Sequence, residues 1–462
     1  MTTNKRIIVV LCFISMLFLA LLGWLTYFVL VRGDATAANP YNRRNIAEEE
    51  SVLRGAIYDR AGVVLAKSSV DSKGKQTRRY SYNNLYSGVI GYNSPIYGKS
   101  GLEKSYNNEL LGRGNILGIQ AKEGHSLHLT IDHDLQQLAS NQLGNRKGAV
   151  VAVNPQNGDI LALAGYPNFN PNEEQLVKNW KALADDENSP FVNRAVNGLY
   201  EPGSTFKIIT AAALLVDSRQ LTVGSMLDEG SITIDGKVFR NFRNTKHGEV
   251  DLKKAFAVSS NVAFCLWGSE LGGSALRGVA TNFGFESNID IGIPVTNSRF
   301  PNESLKKADA AAAAMGQWKL LATPIQMAKI AAVIANGGSD VPLHLVDKVV
   351  NKDGGVVWQH NRPLLSKQIV SADIAGQIAE MMAEVVKSGT GTGAKISGVT
   401  VAGKTGTAEN NHKDKEHAWF VAFAPAENPT IAVAVCLENS GRTGSEVAVP
   451  IARSVMARAL GK

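Results

Sequence analysis

Glu201-Pro202-Gly203-Ser204-Thr205-Phe206-Lys207, followed at once by the apolar run Ile208 to Val216, is the stretch around which the chain is organised. Glu-Pro-Gly is turn chemistry, and a serine after it, ahead of an Ala/Leu/Ile run, reads as a helix N-terminus. Positions three apart on a helix share a face, roughly 5–6 Å between Cβ atoms, so Ser204 and Lys207 are placed to meet. The Ser204 hydroxyl then lies near the positive end of the helix dipole. A serine hydroxyl is a poor nucleophile until a base removes its proton. An amine can be that base when desolvation or neighbouring positive charge holds its pKa down. Taken alone, Ser-x-x-Lys fits a plain helix cap as well. The chain holds two more copies, Ser72 to Lys75 and Ser304 to Lys307, in polar segments without the turn and apolar helix.

The chain has 462 residues, room for two or three domains, and a globular composition with 44% hydrophobic and 19% charged residues. Its formal charge of +7 suits an anionic neighbourhood such as a membrane surface or cell-wall polymer. The basic residues are scattered, with no aromatic-interleaved patch, which argues against nucleic-acid binding. Three cysteines make no disulfide framework, although a Cys265–Cys436 bridge stays open from the sequence. No Cys/His spacing matches a metal site.

Ile7 to Val31 runs without a charge for 25 residues after Lys5 and Arg6, long enough to span a bilayer. Ala35-Thr36-Ala37 resembles a signal-peptidase site, but a signal peptide's apolar core is far shorter, so the reading is a retained anchor. The basic flank puts residues 1–6 in the cytoplasm and everything beyond Val31 outside. Ala35 to Glu50 reads as a tether. Residues 32–146 read as a small, elongated, β-rich pedestal with little core, loop-heavy over Tyr80 to Leu110 and with short strands near Ala56 to Tyr58 and Ser126 to Ile131.

From residue 147 to 462 the pattern changes. Ala149 to Val153 and Ile160 to Ala164 are strands joined by a turn-rich hairpin. Ala255 to Leu271 reads as mostly helical, with Ser259-Ser260-Asn261 between helical stretches, and helices follow over Ala308 to Met315, Pro324 to Asn336 capped by Thr323, and Ser371 to Lys387. Strands return over Val399 to Thr407, Ala418 to Ala424 and Thr430 to Leu437, and Val447 to Leu460 closes as a helix. Strands at both ends with helices between imply an α+β fold, an antiparallel sheet flanked by helices.

Two further pieces carry chemistry, Ser259-Ser260-Asn261 and Lys404-Thr405-Gly406-Thr407. Ser-x-Asn alone says nothing, since Ser81 to Asn83 and Ser105 to Asn107 match it too. Ser-x-x-Lys, Ser-x-Asn and Lys-Thr-Gly in this order are the signature of penicillin-recognising serine acyltransferases. The chain resembles class B penicillin-binding proteins, and within them the penicillin-binding protein A subgroup. Arg54-Gly55-Ala56-Ile57-Tyr58-Asp59-Arg60, Asn193-Arg194-Ala195, Gly316-Gln317 with Ala322 to Ala328, Val401 to Glu409 and His417-Ala418-Trp419-Phe420 extend the likeness over nearly the whole chain after the anchor. Trp318 departs from it, standing where the family pattern leads one to expect glycine. The pedestal is short for the family, no glycosyltransferase segment precedes it, and no further domain follows the last helix.

The resemblance implies a penicillin-binding/serine β-lactamase-like fold and a D,D-transpeptidase. It would cross-link peptidoglycan stem peptides from a D-Ala-D-Ala donor to an amine acceptor, be trapped by β-lactams, and need no cofactor or metal. It implies roles for Ser204 (acylated nucleophile), Lys207 (general base), Ser259 (proton relay to the leaving amine), Asn261 (orienting Lys207 and substrate) and Lys404 (positive charge). Thr405, Gly406 and Thr407 would line the substrate strand, with the two threonines binding the terminal carboxylate and the N–H groups of Ser204 and Thr407 forming the oxyanion hole. It also implies a polytopic membrane glycosyltransferase partner, touching the anchor and Arg54 to Arg60.

Two rival readings carry different features. A β-lactamase on the same fold would need a deacylation base; Glu286 and Glu303 are the nearest carboxylates and neither has the right surroundings. A catalytically weak scaffold or sensor would not need every motif residue intact.

Overall fold

The computed structural model describes residues 3–32, 49, 51–72, 76–113, 122–222, 224–302, 304–361, 366–408 and 415–462. Apart from Glu49, the tether over Ala35 to Glu50 lies outside the described residues, as do Lys75, Glu303 and Glu409.

The apolar N-terminal run forms one helix, Thr3–Tyr27, continued by a π-helical turn over Phe28–Arg32. Residues 4–32 are all exposed among the described residues, and the helix's length and composition suffice to cross a membrane. This fits a single-pass anchor.

A five-stranded antiparallel sheet runs in the order Ala402–Ala408, His417–Ala424, Ile431–Leu437, Gly148–Val153, Ile160–Tyr166. Its inner strands are buried on both faces. Alternate residues therefore feed two cores: Trp419, Val421 and Phe423 go to one side, Phe420 and Ala422 to the other. Helices His133–Leu143 and Gly444–Ala459 cover the second face. Helix Pro324–Ala335 covers the first, with Lys207–Val216 in the same core. The expected caps form: Thr323 Oγ1 accepts from Gln326 N (3.3 Å) behind Pro324, and Ser371 Oγ from Ile374 N (3.2 Å).

A second sheet has six strands in the order Val356–Gln359, Val346–Val350, Ser126–Leu129, Ile57–Tyr58, Val64–Val70, Gln76–Tyr80. It draws strands from both sides of residue 146. The segment read as loop-heavy with little core is instead well packed. Leu85, Tyr86, Val89, Ile90, Leu102 and Leu110 are buried and join the large catalytic-side core. Their spacing follows short helical turns, Asn83–Tyr86, Gly101–Ser105 and Asn107–Leu110, too brief to show a period in sequence. Arg54 is also interior. Its guanidinium meets Glu103 (2.5 Å) and Asn107 Oδ1 (2.7 Å), while Arg78 takes the other Glu103 oxygen at 2.7 Å. Removing one partner of such a buried set costs about 3–5 kcal/mol, so Arg54 holds the module together. Asp59 is likewise buried, accepting from Ala61 N and Val63 N. Cys265 and Cys436 are both free thiols, so the bridge left open by the sequence does not form.

Candidate active site

Ser204 lies in a 3₁₀ turn, Gly203–Phe206, that runs straight into the helix Lys207–Val216. Its side chain is half-buried, and it lies inside the turn, whose N-cap position is Pro202. Two elements pin this turn. On one side the strand Ala402–Ala408, at the sheet edge, comes so close that a Cβ on Gly406 would lie 2.9 Å from Thr205 Cγ2 and 3.0 Å from the Pro202 carbonyl. Any side chain larger than hydrogen there would lift the strand off the turn. On the other side Gly203 N donates to Gly316 O at 3.0 Å. Gly316 has φ +81°, and a Cβ there would sit 1.9 Å from Gly203 O. Trp419 Nε1 adds a bond to Glu201 O at 2.9 Å.

The glycine expected after Gly316-Gln317 has a backbone reason. Trp318 has φ +64° and Lys319 +55°, the left-handed region, which costs a residue with a Cβ about 1–2 kcal/mol. The Trp318 ring offsets this by packing on the cluster of Ile234, Phe239 and Cys265.

Lys207 is completely buried. Its Nζ donates to Asn261 Oδ1 (2.8 Å), to Ser259 O (2.9 Å) and to Ser259 Oγ (3.3 Å). Lys404 is equally buried, and its Nζ donates to Ser259 Oγ (2.9 Å) and Thr405 O (3.1 Å). One hydroxyl thus sits between two amines with no carboxylate bonded to either. Burial pushes Lys207 down to about 7, against opposing pulls from Cys265 and Asp228. Burial, then the charge of Lys207, drives Lys404 well below the ordinary lysine range. Two ammoniums facing one hydroxyl titrate as a pair, so one proton leaves early.

Ser259-Ser260-Asn261 falls between two helical stretches, as the sequence leads one to expect. Leu252–Val258 ends at Ser259, whose backbone is left-handed (φ 61°, ψ 41°), and a new helix starts at Asn261. That kink turns the Ser259 and Asn261 side chains onto one amine. Thr405 Oγ1 lies 2.6 Å from Thr390 Oγ1, and Thr407 Oγ1 accepts from Gly444 N at 3.4 Å.

The structure therefore brings Lys207, Ser259, Asn261 and Lys404 into direct contact, with Ser204, Thr405, Gly406 and Thr407 on the adjoining turn and edge strand. One expectation differs. Ser204 and Lys207 share a turn, but no hydrogen bond joins Ser204 Oγ to the amine, whose donors go to Ser259 and Asn261. Catalytic hydrogen bonds often tighten only when substrate is present. Of the other Ser-x-x-Lys copies, Ser304 and Lys307 are both exposed, and Lys75 lies outside the described residues. Sequence reasoning missed Asp228 and Asn241, buried behind Ser260 with Asn241 hydrogen-bonded to Asp228 at 2.7 Å. An Asp-Glu-Gly turn is the only local signal, and it says nothing of a partner 32 residues away. Among the described residues no group of three or more His, Cys, Asp or Glu is arranged to hold a metal ion.

A serine on a helix-start turn, a buried amine pair and an edge strand beside them define a serine acyltransferase of the penicillin-recognising class. The chain belongs to the penicillin-binding protein transpeptidase family: residues 148–457 match its transpeptidase domain, and residues 54–123 match the penicillin-binding protein A dimerisation domain. It is similar to the peptidoglycan D,D-transpeptidase PbpA of Mycolicibacterium smegmatis, 33% identical over 99% of both chains. Stage V sporulation protein D of Bacillus subtilis is 30% identical over 89% of this chain and 67% of its own. Among solved structures, the ceftriaxone acyl-enzyme complex of penicillin-binding protein A from M. tuberculosis superposes with a TM-score of 0.83 at 32% identity, covering 89% of this chain and 99% of that one.

Proposed function

We propose that this peptidoglycan D,D-transpeptidase works through an acyl-Ser204 intermediate, with Lys207 as the base that activates it. The observation that carries the reading is the Ser259 hydroxyl, held 3.3 Å from Lys207 Nζ and 2.9 Å from Lys404 Nζ, both lysines being fully buried. Lys207, neutral near pH 7, takes the Ser204 proton as Oγ attacks the penultimate D-Ala carbonyl of a donor stem. The N–H groups of Ser204 and Thr407 receive the oxyanion. Ser259 passes a proton to the departing D-Ala amine, and Lys404, hydrogen-bonded to the same hydroxyl, holds that relay in place. Asn261 holds Lys207 and the substrate amide, while Thr405 and Thr407 take the terminal carboxylate along a strand that Gly406 lets approach. An acceptor amine then attacks the ester, forming the cross-link and freeing Ser204. β-Lactams, which mimic the dipeptide, stop at the ester.

The hydrolase alternative needs a carboxylate base facing that ester. Glu286 does not supply one: Arg277 takes both its oxygens, at 2.9 and 3.1 Å. The experiment is cross-linking of lipid-linked stem peptides by the full chain in membranes; dimeric stems support the reading, and release of D-Ala without dimers would go against it.

The pH dependence follows from the buried pair. Below its pKa of about 7 Lys207 is an ammonium and cannot accept the Ser204 proton. The second-order rate of penicillin acylation should therefore rise through an acid limb centred near that pH and plateau above it. Stopped-flow acylation between pH 5 and 9 checks this; a flat profile would remove Lys207 as the base.

The proposal extends to the layout: residues 1–6 cytoplasmic, 7–31 in the membrane, 32–146 a pedestal and 147–462 the transpeptidase. Lys5 and Arg6 ahead of the apolar helix support a cytoplasmic amino terminus and an extracytoplasmic catalytic domain. A polytopic membrane glycosyltransferase remains the proposed partner. Because Arg54 and Asp59 are buried, contact with it would fall on the anchor and on exposed side chains of the pedestal.

A further inference from the structure

Asp228 is a fully buried carboxylate that the mechanism above does not use. It ends the short strand Met226–Asp228, which pairs with Gly248–Val250. Every bond it makes leads to the Ser-x-Asn segment or to the turn beside it. Oδ1 accepts from Gly230 N (2.9 Å) and Asn241 Nδ2 (2.7 Å); Oδ2 accepts from Asn241 Nδ2 (2.8 Å) and Ser260 Oγ (2.6 Å). The two side chains it holds then grip the start of helix Asn261–Leu271. Asn241 Oδ1 accepts from Asn261 N (2.7 Å) and Val262 N (3.1 Å), and Ser260 Oγ accepts from Ala263 N (3.0 Å). Three successive orphan donors of that helix are satisfied by two groups that both donate to the Asp228 carboxylate, Asn241 Nδ2 also reaching Thr245 O at 2.9 Å.

This matters because the residue just before, Ser259, is left-handed at φ 61°, an arrangement that persists only where its surroundings over-determine it. Ser259 and Asn261 flank Ser260, so fixing Ser260 and the Asn261 amide fixes the two side chains that receive Lys207. Asn261 Nδ2 also donates to Arg240 O (2.9 Å), beside Asn241, closing the frame. We propose that Asp228 is a positioning residue for acyl transfer, holding Ser259 and Asn261 against Lys207 through Ser260 and Asn241. This rests on the acyl-Ser204 reading and adds the group that keeps its relay in register.

A second consequence is electrostatic. Besides Lys404, which shares the Ser259 hydroxyl, the charges acting on the Lys207 amine are those of Cys265 and then Asp228, both of which favour the ammonium. Removing the Asp228 charge lowers the proton affinity of Lys207, so the base is neutral at lower pH.

The test is acylation of the full chain by a fluorescent penicillin, with melting curves, for the parent, Asp228→Asn, and the swap Asp228→Asn/Asn241→Asp. The swap exchanges donor and acceptor across the same pair. Asp228→Asn should acylate about tenfold to a hundredfold more slowly at pH 8, the range for a displaced catalytic group. Its acid limb should move to lower pH, which loss of packing alone would not cause. The swap should recover most of the rate. A folded Asp228→Asn that labels within about twofold of the parent would overturn the proposal while leaving acyl-Ser204 intact. So would a slower variant with an unmoved acid limb. Should Asp228→Asn lack a native melting transition, the swap decides: a folded swap labelling near the parental rate upholds the proposal, and a folded but slow one overturns it. A parent that takes no label at all would instead sink the acyl-Ser204 reading, and the proposal with it.

Discussion

Ser204→Ala is expected to abolish covalent penicillin labelling while leaving the melting curve nearly unchanged. Replacing a helix-start serine usually costs about 1 kcal/mol because a capping bond is lost. Here the N-cap position is Pro202, not Ser204, so the cost should fall below that figure. The turn keeps its shape through Gly203 N to Gly316 O and Trp419 Nε1 to Glu201 O, neither of which involves the hydroxyl. Labelling and thermal denaturation of the same preparation separate lost chemistry from lost structure. Persistent labelling of the alanine variant would place the nucleophile elsewhere.

Lys207→Arg should show the next largest loss. Arginine keeps the positive charge but stays protonated, so it cannot accept the Ser204 proton. A positioned base is typically worth about 10²–10⁴ in rate, and acylation should fall by that order. The lysine is fully buried with its three donors on Ser259 and Asn261, so the larger guanidinium also strains the pocket. Melting curves must therefore accompany the rates. Near-parental acylation by a folded Arg variant would mean that the residue acts as a charge, not a base.

Much of this was legible in the sequence because it is local. The hairpin strands, the Thr323 and Ser371 caps and the alternating strand around Trp419 all declare themselves within a dozen residues. The three catalytic motifs are legible for the same reason, and their order supplied the fold. What the sequence withheld is long-range. Nothing near Asp228 points to Asn241, 13 positions on, or to Ser260, 32 on. The break between helices at Ser259 was legible, but its left-handed backbone was not, because that depends on hydrogen bonds from another element. The buried Arg54–Glu103–Arg78 cluster joins residues 25 to 49 apart, so charged side chains in a polar segment read as surface when they are core. Trp318 was visible only as an oddity until its left-handed backbone explained why glycine is expected there.

The acyl ester is common to transferase and hydrolase, and its lifetime separates them. With no carboxylate base facing Ser204 among the described residues, water should attack slowly, since a positioned base is worth about 3–5 kcal/mol of barrier. Mass spectrometry of the protein after a brief exposure to benzylpenicillin, followed over time, reads this directly. The account predicts an adduct one antibiotic heavier, confined to the peptide carrying Ser204 and persisting for minutes to hours. Rapid release of penicilloic acid over many turnovers each second, or an adduct on any other residue, would contradict it.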